Sequence, residues 1–150
     1  MTTQPLDLGQ FLPYRLSVLA NKVSRQLAAA YAARFGITIP QWRVVAVLGQ
    51  DSGVSADFVC GRTEMDRVTV SRAVAALLEQ GLVLRKTSRT DRRCSVLRLS
   101  AAGQRLYADV VPLARSYEAA LLSGLAPADR AALDRVLVAL QARVDANESA

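Results

Sequence analysis

Apolar residues recur along most of this chain at spacings of three and four, the period of a helix with one buried face. Leu12, Leu16, Leu19, Val23, Leu27 and Ala30 make one such stripe. It predicts a first helix from about Phe11 to Arg34. Pro13 suits the first turn, where a missing N–H costs nothing, and Gly36 suits the end. A second helix begins at Pro40 and runs through Val44, Val45 and Leu48 to Gln50, with Trp42 expected in the core. Asp51-Ser52-Gly53 reads as a turn. Ser55 is the expected N-cap of a third helix that ends near Thr63, with Phe58 and Val59 apolar. Asp66 to Gln80 predicts a fourth. Val70, Val74, Leu77 and Leu78 fall at i, i+4, i+7 and i+8, Asp66 stands as N-cap, and Gly81 stops the helix.

After Gly81 the period changes to two. Leu82 to Thr87 and Cys94 to Leu99 read as strands joined by Ser88-Arg-Thr-Asp-Arg-Arg93, a basic hairpin tip. Ser100 is the expected cap of a fifth helix that reaches about Leu122 and is interrupted or kinked near Pro112. Gly124 closes it, and Pro127 opens a sixth whose stripe is Leu133, Val136, Leu137, Leu140 and Val144. The predicted fold class is mainly α with a small β-hairpin wing. It is a winged helix-turn-helix flanked by helices that form a dimerisation module. The expected boundaries are 1–36 for the N-terminal helix, 37–100 for the winged unit and 101–150 for the C-terminal helices. Stripes on the first, fifth and sixth helices have no partner inside so small a winged unit, so they should pair two chains. Leu12, Leu16, Leu137 and Leu140 are the candidates for that contact.

Charge sharpens this picture. Residues 62–98 hold nine Arg or Lys against four Asp or Glu, a net +5 in a chain whose total is +6. A GC-rich genome would explain the preference for Arg over Lys, but not its clustering. Arg67, Thr69, Ser71 and Arg72 lie off the buried stripe of the fourth helix, near its N-terminus. Arg89, Arg92 and Arg93 stand at the hairpin tip. Guanidinium forks suit phosphates and guanine edges, so the pattern points to a helix that reads one DNA groove and a hairpin that grips another. Two other readings use the same residues: a three-helix bundle whose basic face is merely solvated, and a protein-interaction module for an acidic partner. A structural turn would favour Gly or Asn over arginines at the tip, which counts against the first. The basic face lacks the aromatic residues that stack single-stranded bases, which disfavours RNA.

Chemistry is sparse. His is absent, which removes the commonest general base and the commonest metal ligand. There is no G-x-S-x-G, no phosphate-cradling glycine loop and no carboxylate pair in apolar surroundings. No catalytic residue, metal or cofactor is therefore assigned, and the chain is not expected to be an enzyme. Cys60 is expected to be a buried, inert hydrophobe. Cys94 follows Arg92 and Arg93, which would favour its thiolate, so a redox-sensing regulator using Cys94 or Cys60 is the alternative. No apolar run approaches the roughly 18 to 20 residues of a membrane span, and no secretion signal opens the chain. Reduced thiols in the cytoplasm, away from membranes, are the expectation.

These stretches resemble the MarR family of bacterial winged helix-turn-helix transcriptional regulators. The likeness begins at Ile39-Pro-Gln-Trp-Arg-Val-Val-Ala-Val-Leu48 and is strongest in Met65-Asp-Arg-Val-Thr-Val-Ser-Arg-Ala-Val74. It continues through Gln80-Gly-Leu-Val83, Asp91-Arg-Arg93, Leu97, Leu99 and Ser100-Ala-Ala-Gly103, about 65 residues in all. The resemblance implies a homodimer on a pseudo-palindromic double-stranded operator, with Arg67, Thr69, Ser71 and Arg72 entering the major groove. It places Arg92 in the minor groove and makes Asp91 and Arg93 an ion pair that braces the wing. It also implies a repressor released by a small aromatic or phenolic effector, for which no pocket residue can be carried over. Two positions depart from the pattern. Glu64 stands where the turn before the recognition helix usually has Gly, so a positive φ there would cost of order 1 kcal/mol. Cys60 replaces a small apolar residue, and the early cysteine of peroxide-sensing members has no counterpart here.

Overall fold

The computed structural model describes residues 3–87 and 95–150. Within them the order is α1 (Leu12–Phe35), α2 (Ile39–Gln50), α3 (Ala56–Thr63), α4 (Arg67–Glu79), β1 (Val83–Thr87), β2 (Ser95–Leu99), α5 (Ala101–Leu122) and α6 (Pro127–Glu148). The chain divides into two compact units, Met1–Pro112 and Leu113–Ala150.

Helix boundaries follow from local chemistry. α1 ends on Gly36 at φ 65°, a left-handed cap whose N–H bonds the Ala32 carbonyl. α2 opens with a capping box. Thr38 Oγ1 accepts from the Gln41 N–H at 3.2 Å, while the Gln41 side-chain oxygen accepts from the Thr38 N–H at 3.1 Å. Ser55 caps α3 by accepting from the Phe58 N–H at 3.1 Å. α4 closes in a Schellman motif: the Leu82 N–H reaches the Leu77 carbonyl and the Gly81 N–H the Leu78 carbonyl, with Gly81 at φ 73°.

The core of the first unit is an α2–α3–α4 cluster closed by the two strands. Val44, Val45, Leu48, Val59, Val70, Val74, Leu77, Val83 and Leu97 are all essentially inaccessible to solvent. β1 and β2 pair antiparallel, Val83 opposite Leu99 and Arg85 opposite Leu97, so Val83, Leu97 and Leu99 face the core together. Val54 adds an isolated bridge to Leu97, with the Leu97 N–H reaching the Val54 carbonyl at 2.8 Å. The sequence pattern had shown only a turn there, because a single paired residue leaves no alternation to read.

Several expectations need correction. Trp42 is half-buried rather than in the main core. It lies 5.9 Å from the Tyr107 ring in a stack and 5.8 Å from Tyr31 edge-on, so three helices meet at one aromatic cluster. Of the two apolar residues named in α3, Val59 is fully buried in the core and Phe58 is exposed. α5 continues as helix through Pro112 without interruption. Cys60 is half-buried and packs against the core, a free thiol. In keeping with stripes that find no partner inside one chain, those of α1 and α6 are largely uncovered: Leu12 and Leu16 are exposed, and α6 buries no residue at all.

Candidate nucleic-acid interface

Before α4 the chain makes a sharp turn through Glu64, at φ 58° the one non-glycine residue with positive φ among those described. The turn is held on both sides. The Glu64 N–H bonds the Cys60 carbonyl at 2.9 Å, and Thr63 Oγ1 donates to the Val59 carbonyl at 2.7 Å while accepting from the Met65 N–H at 3.3 Å. Those bonds offset the left-handed strain of a residue with a Cβ.

Asp66 then caps α4. Its carboxylate accepts from the Thr69 N–H at 2.7 Å and from Thr69 Oγ1 at 2.9 Å. These two donors, backbone first, hold the Asp66 carboxyl below its ordinary pKa. Thr69 is therefore half-buried with its proton committed, and only its lone pairs remain for an external donor. Arg67, Ser71 and Arg72 are exposed on the outward face, while Val70, Ala73, Val74 and Leu77 fill the inward one. Arg67 makes a loose 3.7 Å pair with Asp57 on α3, solvent-exposed on both sides. Such a pair contributes about 1 kcal/mol at most and leaves the guanidinium available to an anion. Arg62, by contrast, is turned back toward α2, 3.3 Å from the Gln50 side-chain oxygen and 3.8 Å from Asp51.

A cleft of about 280 Å³ lies beside this face, lined by Thr38, Pro40, Gln41, Thr69, Arg72 and Ala73. A second, of about 580 Å³, runs along α1 from Val18 to Ala28 with Lys22 and Arg25 at its rim. The wing strands bring three more exposed cations, Arg85, Lys86 and Arg98, which the sequence reading had passed over in favour of the tip. The tip residues Arg89, Asp91, Arg92 and Arg93, and with them Cys94, lie outside the described residues. Ser100 carries a second task that its motif did not disclose. Its hydroxyl accepts from the Gly103 N–H at 3.0 Å, capping α5, and donates to the Gly81 carbonyl at 2.6 Å at the end of α4.

Residues 35–93 match the model of the MarR family, a span that contains α2, α3, α4 and β1. Over that span the chain is similar to the MarR family. A solved MarR/EmrR family transcriptional regulator from Acinetobacter sp. ADP1 is 28% identical, with a TM-score of 0.86 over 93% of this chain and 99% of that one. A proposed transcriptional regulatory protein for the hcr operon of Thauera aromatica is 27% identical over 109 residues. That match spans 73% of this chain and 66% of the longer relative. A MarR-family regulator from Listeria monocytogenes, crystallised with a 26mer DNA, is 19% identical and shares the fold at a TM-score of 0.81, over 90% of this chain and 89% of that one. The proteins this chain is similar to are described as transcriptional regulators. No described helix is long and apolar enough to cross a membrane.

Proposed function

We propose that this chain is a MarR-family repressor that binds a pseudo-palindromic double-stranded operator as a homodimer and lets go when a small aromatic or phenolic effector binds. The observation that carries the DNA reading is the outward face of α4. Arg72, Ser71 and Arg67 are exposed near an N-terminus pinned by Asp66, on a helix whose other face is locked into the core. A fork presented from a rigid helix can make two bonds to guanine O6 and N7. The Listeria protein, which shares the fold, was crystallised with DNA. The dimer reading is supported by the apolar side chains that α1 and α6 leave in water. Two copies would set their recognition helices about 34 Å apart, in successive major grooves. The effector reading is supported by the cleft that includes Arg72 and Thr69 in its lining, since an anion held there would occupy the fork that reads DNA.

The test is selection of bound sequences from random duplexes, followed by gel shifts on the selected site. One inverted repeat, bound far more tightly than its scrambled version, is the expected result. Indifference between the two would overturn the reading. Replacing Arg89 and Arg92 together by Ala should flatten the slope of log K against log salt by about one to two units per wing, since each lost phosphate contact releases about one fewer counterion.

A further inference from the structure

α4 shows one side chain that neither its cap nor its core explains. Val68 is 59% exposed, the most exposed large apolar residue among those described between 37 and 100. At 3.6 residues per turn it lies roughly opposite the middle of the buried stripe of Val70, Ala73, Val74 and Leu77. It shares its outward strip with Ser71, Arg72 and Ala75, all exposed. Helix stability does not call for it, because a β-branched residue is a weaker helix former than Ala or Arg. The staple that anchors this helix start is already supplied from the other side by Met65, which packs against the core containing Val70. An isolated valine in water beside an arginine fork has one evident use on a DNA-reading face. Its two methyl groups can cover the C5-methyl of a thymine, the apolar feature of the major groove.

We infer that Val68 is a specificity-determining residue that selects thymine by contact with its C5-methyl group, next to the base pair read by Arg72. The inference rests on the DNA-binding reading above and adds a base to it. Val68 and Arg72 are four residues apart, about 6 Å along the helix at 1.5 Å per residue, and base pairs stack about 3.4 Å apart. Each half-site should therefore carry a thymine within about two base pairs of the guanine. Val68 precedes Arg72 and lies in the first turn, where recognition helices meet base edges. The strip holds no acidic side chain that would repel the approaching bases.

The experiment uses the full chain and the operator obtained by selection. Each thymine of a half-site is replaced in turn by deoxyuridine, which removes only the methyl group and keeps every hydrogen-bonding atom. At one thymine, within about two base pairs of the selected guanine, the wild type should lose about four-fold in affinity per half-site, the worth of one buried methylene-sized group. Val68→Ala should bind the natural operator more weakly and treat thymine and uracil alike at that position. Val68→Ile, which keeps the branched surface, should retain the preference. Thermal unfolding should show Val68→Ile close to the wild type and Val68→Ala no less stable, since the side chain is in solvent and Ala is the better helix former. A wild type indifferent to every uracil would overturn the inference while leaving the DNA reading intact. So would a Val68→Ala variant with an unchanged uracil penalty. Failure to select any sequence would remove both.

Discussion

Asp66 does two things with one carboxylate: it ends the turn after Glu64 and commits the hydroxyl of Thr69. Because its folded pKa is lowered, the stability it contributes is present above the unfolded value of 3.8 and is lost as pH falls through the lower folded value. Asp66→Asn keeps an oxygen for the Thr69 N–H but cannot be titrated. Its melting temperature should therefore fall less steeply than the wild type's between pH 5 and pH 2, both limits being approximate. Equal slopes would show that the cap bonds do not survive in solution. Arg72 belongs to the same scale. Arg72→Ala should cost about 1 to 3 kcal/mol on the selected operator and little on random duplex, and equal losses on both would make it a phosphate contact only. The caps Ser55 and Asp66 were legible in sequence, because each depends on neighbours a few residues away, whereas the positive φ of Glu64 was raised only by the resemblance. The Asp57–Arg67 pair was not, since it joins two helices whose packing no local pattern announces.

Among the elements, order and type could be read from periodicity, whereas the fits between them could not. Gly103 shows why. A Cβ built there would lie 2.0 Å from the Leu82 carbonyl oxygen, so the first turn of α5 meets the start of β1 with nothing between them. Gly49 is similar, with the Tyr107 ring 2.4 Å from its would-be Cβ. In the sequence both glycines look like ordinary weak points in helices. Gly61, in α3, has open space around it. One substitution should therefore have opposite signs at two places. Gly103→Ala must push α5 off backbone and should lose about 1 to 3 kcal/mol, while Gly61→Ala should gain about 0.5 to 1 kcal/mol from chain entropy. Thermal or urea unfolding measures both, and a neutral Gly103→Ala would mean the α5 contact is looser than described. Ser100 lies in the same seam, tying the end of α4 to the start of α5. Its role as a cap was visible in Ser-Ala-Ala-Gly, but its bond to Gly81 spans the whole wing and left no local signal.

For the whole molecule, the sequence stripes named the surface that a single chain leaves uncovered. Leu137 is 50% exposed, Leu140 is half-buried, and Leu12 and Leu16 remain in contact with water. Leu137→Asp should shift the chain from dimer to monomer in sedimentation at micromolar concentration, with its helix content retained. A wild type that already sediments as a monomer would end the palindromic-operator reading. The winged core was more legible than this outer layer, because its residues are buried within one chain and their pattern records that burial. The aromatic cluster where α1, α2 and α5 meet has an optical consequence. Trp42 is the chain's single tryptophan and is set between Tyr31 and Tyr107, so the indole emits from that joint alone. Its colour and quenching report the packing of those three helices without any label. Burial also keeps the Tyr31 hydroxyl neutral above its ordinary pKa of 10.0, so quenching of the indole by a Tyr31 tyrosinate sets in only at still higher pH.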